Sequence, residues 1–257
     1  FDSMKKVIIK ANLVSKFQSI NNADIFKMEY WPLERAKLNN QNTKKFNGNV
    51  AVITGGAGKI GSAIANKFIN ENIEVILLDK NFKNLDINIK KKCLCIECDL
   101  TNNSQINKAL NKTLKLFGGI DILIANSGAA FQGSMLNVKK DILEKSLEVN
   151  FYSHHNIVQK IANIMVSQGF GGSISLNLSK QSINPGKDFG PYGIAKASSL
   201  FSMKQYALEF GKYNIRVNGI NADRIKSGLL TDQFIKERAK ARNCLLYTSD
   251  AADEADG

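Results

Sequence analysis

Short apolar runs alternate with stretches of helical periodicity from residue 49 to residue 220. Residues 49–54, Asn-Val-Ala-Val-Ile-Thr, form an apolar run closed by glycines, the pattern of a buried strand. A helix follows through Ile64, Ala65, Phe68 and Ile69. Residues 74–79 predict a second strand ending in Asp79, and 93–97 a third, running on to Asp99. A helix is expected over 104–116, then a strand over 120–125. Residues 138–150 and 157–166 carry helical spacing, with Leu143, Leu147, Ile157, Ile161 and Ile164 as core positions. A fifth strand over 172–178, a helix over 195–210 and a sixth strand over 215–220 complete the series. Strands alternating with helices predict an α/β fold: a doubly wound parallel sheet (Rossmann fold) with helices on both faces.

The flanks have a different character. Residues 1–47 are apolar islands in polar surroundings, with Pro32 opening a short helical pattern over 33–38 and an Asn/Lys-rich stretch behind it. They read as a connector from a missing upstream domain. The chain opens on Phe1 rather than Met, and is read as a fragment. Residues 244–257 break abruptly with the Lys/Arg-rich helical pattern before them and resemble a translated adaptor oligonucleotide, so they are set aside as a non-native tail. The nucleotide domain is expected over 48–243, truncated at its carboxyl end.

With 257 residues and 44% hydrophobic content the chain is long enough for one sizeable α/β core, and disorder is excluded. No apolar run is long enough to span a membrane, and no secretory pattern stands at the amino end. The net charge of +12 could favour an acidic ligand, but the lysines are scattered and lack interleaved aromatics. No nucleic-acid partner is inferred. Cys93, Cys95 and Cys98 have no second ligand pair at metal-binding spacing. Cys93 and Cys95 share one strand face, and unpaired cysteines fit a reducing, cytoplasmic setting.

Chemistry concentrates in two stretches. Gly55-Gly-Ala-Gly58-Lys59-Ile60-Gly61 joins the first strand to a helix, which makes a phosphate cradle. Asp79 lies 24 residues beyond Gly55, where such folds place the acid that bonds the adenosine ribose hydroxyls. An acid there repels a ribose phosphate and favours NAD over NADP, although Lys80 stands beside it. In the second stretch, Tyr192 and Lys196 are one helical turn apart. A lysine ammonium beside the phenol is expected to pull its pKa down and make it a useful acid/base. Ser179 follows the apolar run 174–178, so its hydroxyl is placed at a strand's carboxyl end, where open α/β sheets bind ligands. A Tyr-x-x-x-Lys pair alone also fits an ordinary helix surface; the surrounding pattern favours the functional reading.

With these residues in place, the chain resembles the short-chain dehydrogenase/reductase family over 49–242. Residues 54–61 look like its cofactor loop, Asp99 followed by Leu100 like its adenine-side acid, and Ala125-Asn126-Ser127-Gly128 like a variant of its Asn-Asn-Ala-Gly turn. Asn150 looks like the asparagine that holds the proton-relay water. Ser179, Tyr192 and Lys196 match the catalytic trio. The resemblance implies that Tyr192 exchanges the substrate hydroxyl proton, Ser179 holds the substrate oxygen and Lys196 binds the nicotinamide ribose while lowering the tyrosine pKa. It also implies NAD as cofactor, a small-molecule substrate and self-association into homo-oligomers. Two departures stand out. Lys59 replaces the loop's middle glycine, leaving the spacing Gly55, Gly58, Gly61. The Pro-Gly expected after the sixth strand is absent: Asn221-Ala-Asp223-Arg224-Ile225 stands there, with Ile225 where the carboxamide would be met and Ser227 in place of a threonine. Asp223 and Arg224 either shape a polar substrate pocket or pair with each other.

A narrower resemblance rests on residues 24–31, 168–172, 179–181 and 220–230. These look like the dehydrogenase half of bifunctional aldolase/short-chain dehydrogenases, in which a class II sugar-phosphate aldolase comes first. It implies oxidation of a small hydroxy-aldehyde such as lactaldehyde and a covalently linked upstream aldolase domain. A free-standing sugar-alcohol or polyol dehydrogenase, and an inactive nucleotide-binding module, are the alternatives.

Overall fold

The computed structural model describes Phe46, residues 48–223 and Ile225. Most of the connector, the tail after 243, and the expectations for Arg224 and Ser227 lie outside these residues. Six parallel strands form one sheet: β1 (Val50–Thr54), β2 (Glu74–Asp79), β3 (Leu94–Glu97), β4 (Ile122–Ala125), β5 (Gly172–Asn177) and β6 (Ile215–Ile220). Their spatial order is β3-β2-β1-β4-β5-β6. The chain winds outward from β1 in one direction, then restarts at β4 and winds in the other. The carboxyl ends of β1 and β4 are therefore the topological switch point, where such sheets bind ligands.

Alternation along β1 explains why both faces are covered. Val50 and Val52 join one apolar cluster with Ile106, Leu110, Ile157, Ile161 and Tyr206. Ala51 and Ile53 join the opposite cluster with Ala65 and Leu85. The first cluster is roofed by α3 (Asn103–Phe117), α5 (Ser153–Gln168) and α6 (Gly190–Phe210). The second lies under α1 (Lys59–Asn70) and the short α2 (Ile87–Lys92). Cys93 and Cys95 both pack on this second cluster, as their shared strand face predicts. Burial raises the Cys93 thiol, with help from Cys95, to about 12. A thiol so far from ionisation is a packing group rather than a nucleophile.

Several elements differ from the sequence expectation, β4 among them, which begins at Ile122 rather than at residue 120. The third strand begins at Leu94, and α2 precedes it, capped by Asp86 accepting from the Asn88 N–H. With no buried residue, α2 leaves no apolar period to read. The helix that carries Tyr192 begins at Gly190, with Pro191 in its first turn, five residues earlier than the apolar pattern suggests. The two helices expected over 138–150 and 157–166 are one continuous rod: α4 (Lys140–Leu147), a π-helical turn (Glu148–Tyr152), then α5. The wider turn shifts the apolar phase between Leu147 and Ile157, so the pattern looks like two helices.

Candidate active site

The tips of β1, β4 and β5 are tied together by side chains before they meet any ligand. Thr54 is fully buried, and its hydroxyl accepts from the N–H groups of Asn126 and Ser127, at 2.9 and 3.1 Å. The Asn126 amide donates back to the Thr54 carbonyl at 3.1 Å, while its Oδ1 accepts from Asn177 Nδ2 at 2.9 Å. Asn177 in turn offers its carbonyl to Lys196 Nζ at 2.8 Å. A polar chain thus runs from the glycine loop to the lysine of α6. Gly55 stands where this framework leaves no room. Its φ is +62°, and a Cβ there would sit 2.9 Å from the Ser127 Cα. Gly61 is required for close packing, since a Cβ would strike the Gly55 carbonyl oxygen.

The loop and α1 make one end of a cleft of about 580 Å³. Gly58 is the N-cap of α1, and no side chain caps the turn. Gly58, Lys59 and Ile60 line the cleft, so the helix's amino end faces it with N–H donors suited to an anion. Asp79 lies alongside, held twice: Oδ2 accepts from the Ala57 N–H at 2.9 Å and Oδ1 from the Lys80 N–H at 2.7 Å. Asp99, Leu100 and Thr101 close this end. Burial pushes the Asp99 carboxyl up, but the Thr101 N–H and hydroxyl together with Lys80 outweigh it and leave the group below its ordinary value.

Tyr192 and Lys196 lie at the other end of the same cleft, both buried. Phe189 packs edge-on against the Tyr192 ring, with centroids 6.4 Å apart. Ser179 lies two residues beyond β5, with its backbone extended and its hydroxyl accepting from the Gln181 N–H at 3.2 Å. The expected lysine effect on the phenol is not found. Burial raises the Tyr192 pKa, and Ser179, not Lys196, supplies the opposing pull. The lysine Nζ points at the Asn177 carbonyl and stands 5.7 Å from the ring centroid. Burial lowers Lys196 itself to about 8. A lysine near its own titration point is a weaker electrostatic lever than a fixed ammonium.

Asn150 is fully buried in the π turn. Its Oδ1 accepts from the Ala129 N–H at 3.1 Å and its Nδ2 donates to the Ala129 carbonyl at 3.0 Å. Its own carbonyl accepts from Ser199 Oγ at 2.9 Å. In this arrangement Asn150 clamps the segment after β4 rather than presenting its amide to the cleft. Gly128 completes the fit, because a Cβ there would lie 2.9 Å from Asn150 Oδ1. Asn150, Ser179 and Gly61 therefore support the cleft from behind its lining, while Ile225 is exposed and outside the lining. Asp223 pairs with Lys180, Nζ to Oδ2 3.5 Å, an arrangement neither sequence alternative included.

Sequence reasoning missed several members: Thr101, Phe131, Val149, Ser153 and Asn177 all line the cleft, as does Lys80, which it had weighed beside Asp79. Asn177 had a signal, being polar inside an apolar strand run. His154 was also missed. It is buried on the face of α5 that carries Ile157 and Ile161. Its Nε2 lies 2.6 Å from the Ser127 carbonyl, so Nε2 carries the proton. Its Nδ1 has no hydrogen-bond partner among the described residues. Burial, then Lys196, lowers it to about 3.

Residues 49–238 match the family described as short chain dehydrogenase. The chain belongs to that family. Residues 2–38 of this short-chain dehydrogenase match a second family, aldolase class II, second domain. An uncharacterized oxidoreductase of Bacillus subtilis, YuxG, is 29% identical over 90% of the chain, which spans only 35% of that relative's length. Short-chain dehydrogenase reductase 3a of Arabidopsis thaliana is 30% identical, over 68% of this chain and 70% of its own. Among solved structures, NAD+-bound xylitol dehydrogenase superposes with a TM-score of 0.70 at 25% identity, covering 76% of each chain.

Proposed function

We propose that this chain is the dehydrogenase module of a larger protein and oxidises a small hydroxy-aldehyde or sugar-derived alcohol, with lactaldehyde as candidate and NAD as acceptor. One observation carries the reading. A single cleft joins a helix amino end and Asp79 at one end to Tyr192 and Lys196 at the other. The donor set fits a dinucleotide: backbone N–H groups for a pyrophosphate, and a fixed carboxylate for ribose hydroxyls. Bound there, NAD supplies the hydride acceptor.

The chain's own residues handle the proton. Tyr192 lines the cleft where a substrate hydroxyl would be met, and Ser179, just behind the lining, opposes the burial-driven rise of its pKa. Tyr192 takes that proton as the carbon is oxidised. Lys196, near 8, exchanges protons close to neutrality behind it. Asn150 and Asn177 hold the supporting segments in place. Phe131 lines the cleft and Phe189 packs edge-on against the Tyr192 ring. The match of residues 2–38 to an aldolase domain supports a covalently linked upstream partner. Exposed Phe201 and Leu208 on α6 offer an apolar surface for the self-association that the family resemblance implies. No described helix is long and apolar enough to cross a membrane, and the free cysteines favour the cytoplasm as the setting.

A second reading, a polyol dehydrogenase, is favoured by the likeness to xylitol dehydrogenase. NADH formation by the full native gene product, followed with lactaldehyde and a panel of polyols, separates the two. Turnover of lactaldehyde supports the first reading, turnover confined to polyols supports the second, and NADH binding without turnover of either overturns both.

A further inference from the structure

We infer that Lys80 and Asp99 form a cofactor selector, in which Asp99 holds the Lys80 ammonium away from the position a phosphate on the adenosine ribose would occupy. The inference rests on the reading of the cleft as a dinucleotide site. Asp79 by itself argues against a phosphorylated ribose, but the next residue is a lysine, which argues the other way. The structure shows how the conflict is resolved. Lys80 Nζ lies 2.9 Å from Asp99 Oδ2. All three side chains line the same end of the cleft.

The pair is built so that the carboxylate, not the lysine, is the fixed partner. Asp99 Oδ1 accepts from the Thr101 N–H at 3.0 Å and from the Thr101 hydroxyl at 2.8 Å. The Asp99 N–H donates to Gln105 Oε1 at 2.7 Å, at the start of α3. Its side chain is 32% exposed, against 64% for Lys80. A long, solvated lysine is thus drawn to an anchored acid. An exposed ion pair contributes little to stability. Its effect on a nearby phosphate is another matter. The pairing removes the cation such a phosphate would seek, while Asp79 adds a second carboxylate beside that lysine. Two acids around one lysine therefore favour the unphosphorylated cofactor.

Lys59 is the competing source of positive charge, since it also lines this end of the cleft. The two lysines make different predictions, which allows a decisive test. Dissociation constants of NADH and NADPH are measured by fluorescence titration on the purified chain for wild type, Asp99→Asn, Asp99→Glu and the double variant Asp99→Asn/Lys80→Gln. Asp99→Asn is expected to improve NADPH binding relative to NADH about five- to tenfold. The gain is expected to shrink in 0.5 M salt, as an exposed cation–phosphate contact must. Asp99→Glu keeps the wild-type preference, and the double variant returns to it. An unchanged ratio in Asp99→Asn, or equal weakening toward both cofactors, overturns the selector. A gain that survives in the double variant also overturns it and assigns the effect to Lys59. Failure of wild type to bind either cofactor would instead remove the dinucleotide reading beneath it.

Discussion

Tyr192 illustrates how a residue's identity can be clear while its setting is not. Its spacing to Lys196 is visible in the chain, and both side chains do reach one cleft. Their mutual orientation depends on Asn177, whose carbonyl accepts from Lys196 Nζ at 2.8 Å. No spacing rule forecasts that contact, because Asn177 comes from β5 and Lys196 from α6. The phenol's raised pKa follows from burial, with only Ser179 opposing it. Tyr192→Phe removes the acid/base oxygen and keeps the ring that packs on Phe189. Turnover is expected to fall at least about 100-fold with NADH affinity within about twofold of wild type. Stopped assays paired with fluorescence titration check this, and near-normal turnover would remove Tyr192 from the chemistry.

At the scale of elements, the strands were the most legible. Each is a short apolar run between turn signals, and β1, β2 and β6 fall within a residue of expectation. The glycine loop stands between a strand and a helix as expected, because a loop between adjacent elements has local geometry. The π turn was not legible, since its five residues differ from an α-helix only in bonding register. Yet it is what turns Asn150 onto Ala129, with both atoms of its amide engaged there. That contact joins the rod of α4 and α5 to the segment after β4, which carries Gly128 and Phe131 into the cleft. Asn150→Ala leaves the Ala129 N–H and carbonyl without these partners. Chemical denaturation is expected to show a loss of about 1–3 kcal/mol. Asn150→Asp, which keeps the acceptor but not the donor, should lose stability as well. Wild-type stability in Asn150→Ala would mean that the clamp is not a structural device.

For the whole molecule, the sheet order places chemistry where β1 and β4 diverge, and the site is assembled from segments some 140 residues apart in the chain, Gly55 to Lys196. Sequence pattern could supply the members but not the burial each would experience. His154 is the clearest case. Its ring is enclosed between the turn after β4 and the lysine of α6, and burial, then Lys196, lowers it to about 3. In the unfolded chain the same group titrates at about 6.5. Between those values the unfolded state binds one more proton than the native state, so stability must fall as pH falls from 6.5 toward 3. This contribution is complete above 6.5 and lost progressively below it. Wild type should therefore lose up to about 1.4 kcal/mol per pH unit from this group between pH 6 and 4.5. Urea unfolding at several pH values measures the slope, and His154→Asn provides the comparison, since an amide can still donate to the Ser127 carbonyl but does not titrate. The wild-type slope should be the steeper of the two over that interval. Parallel slopes would show that His154 does not gain a proton on unfolding.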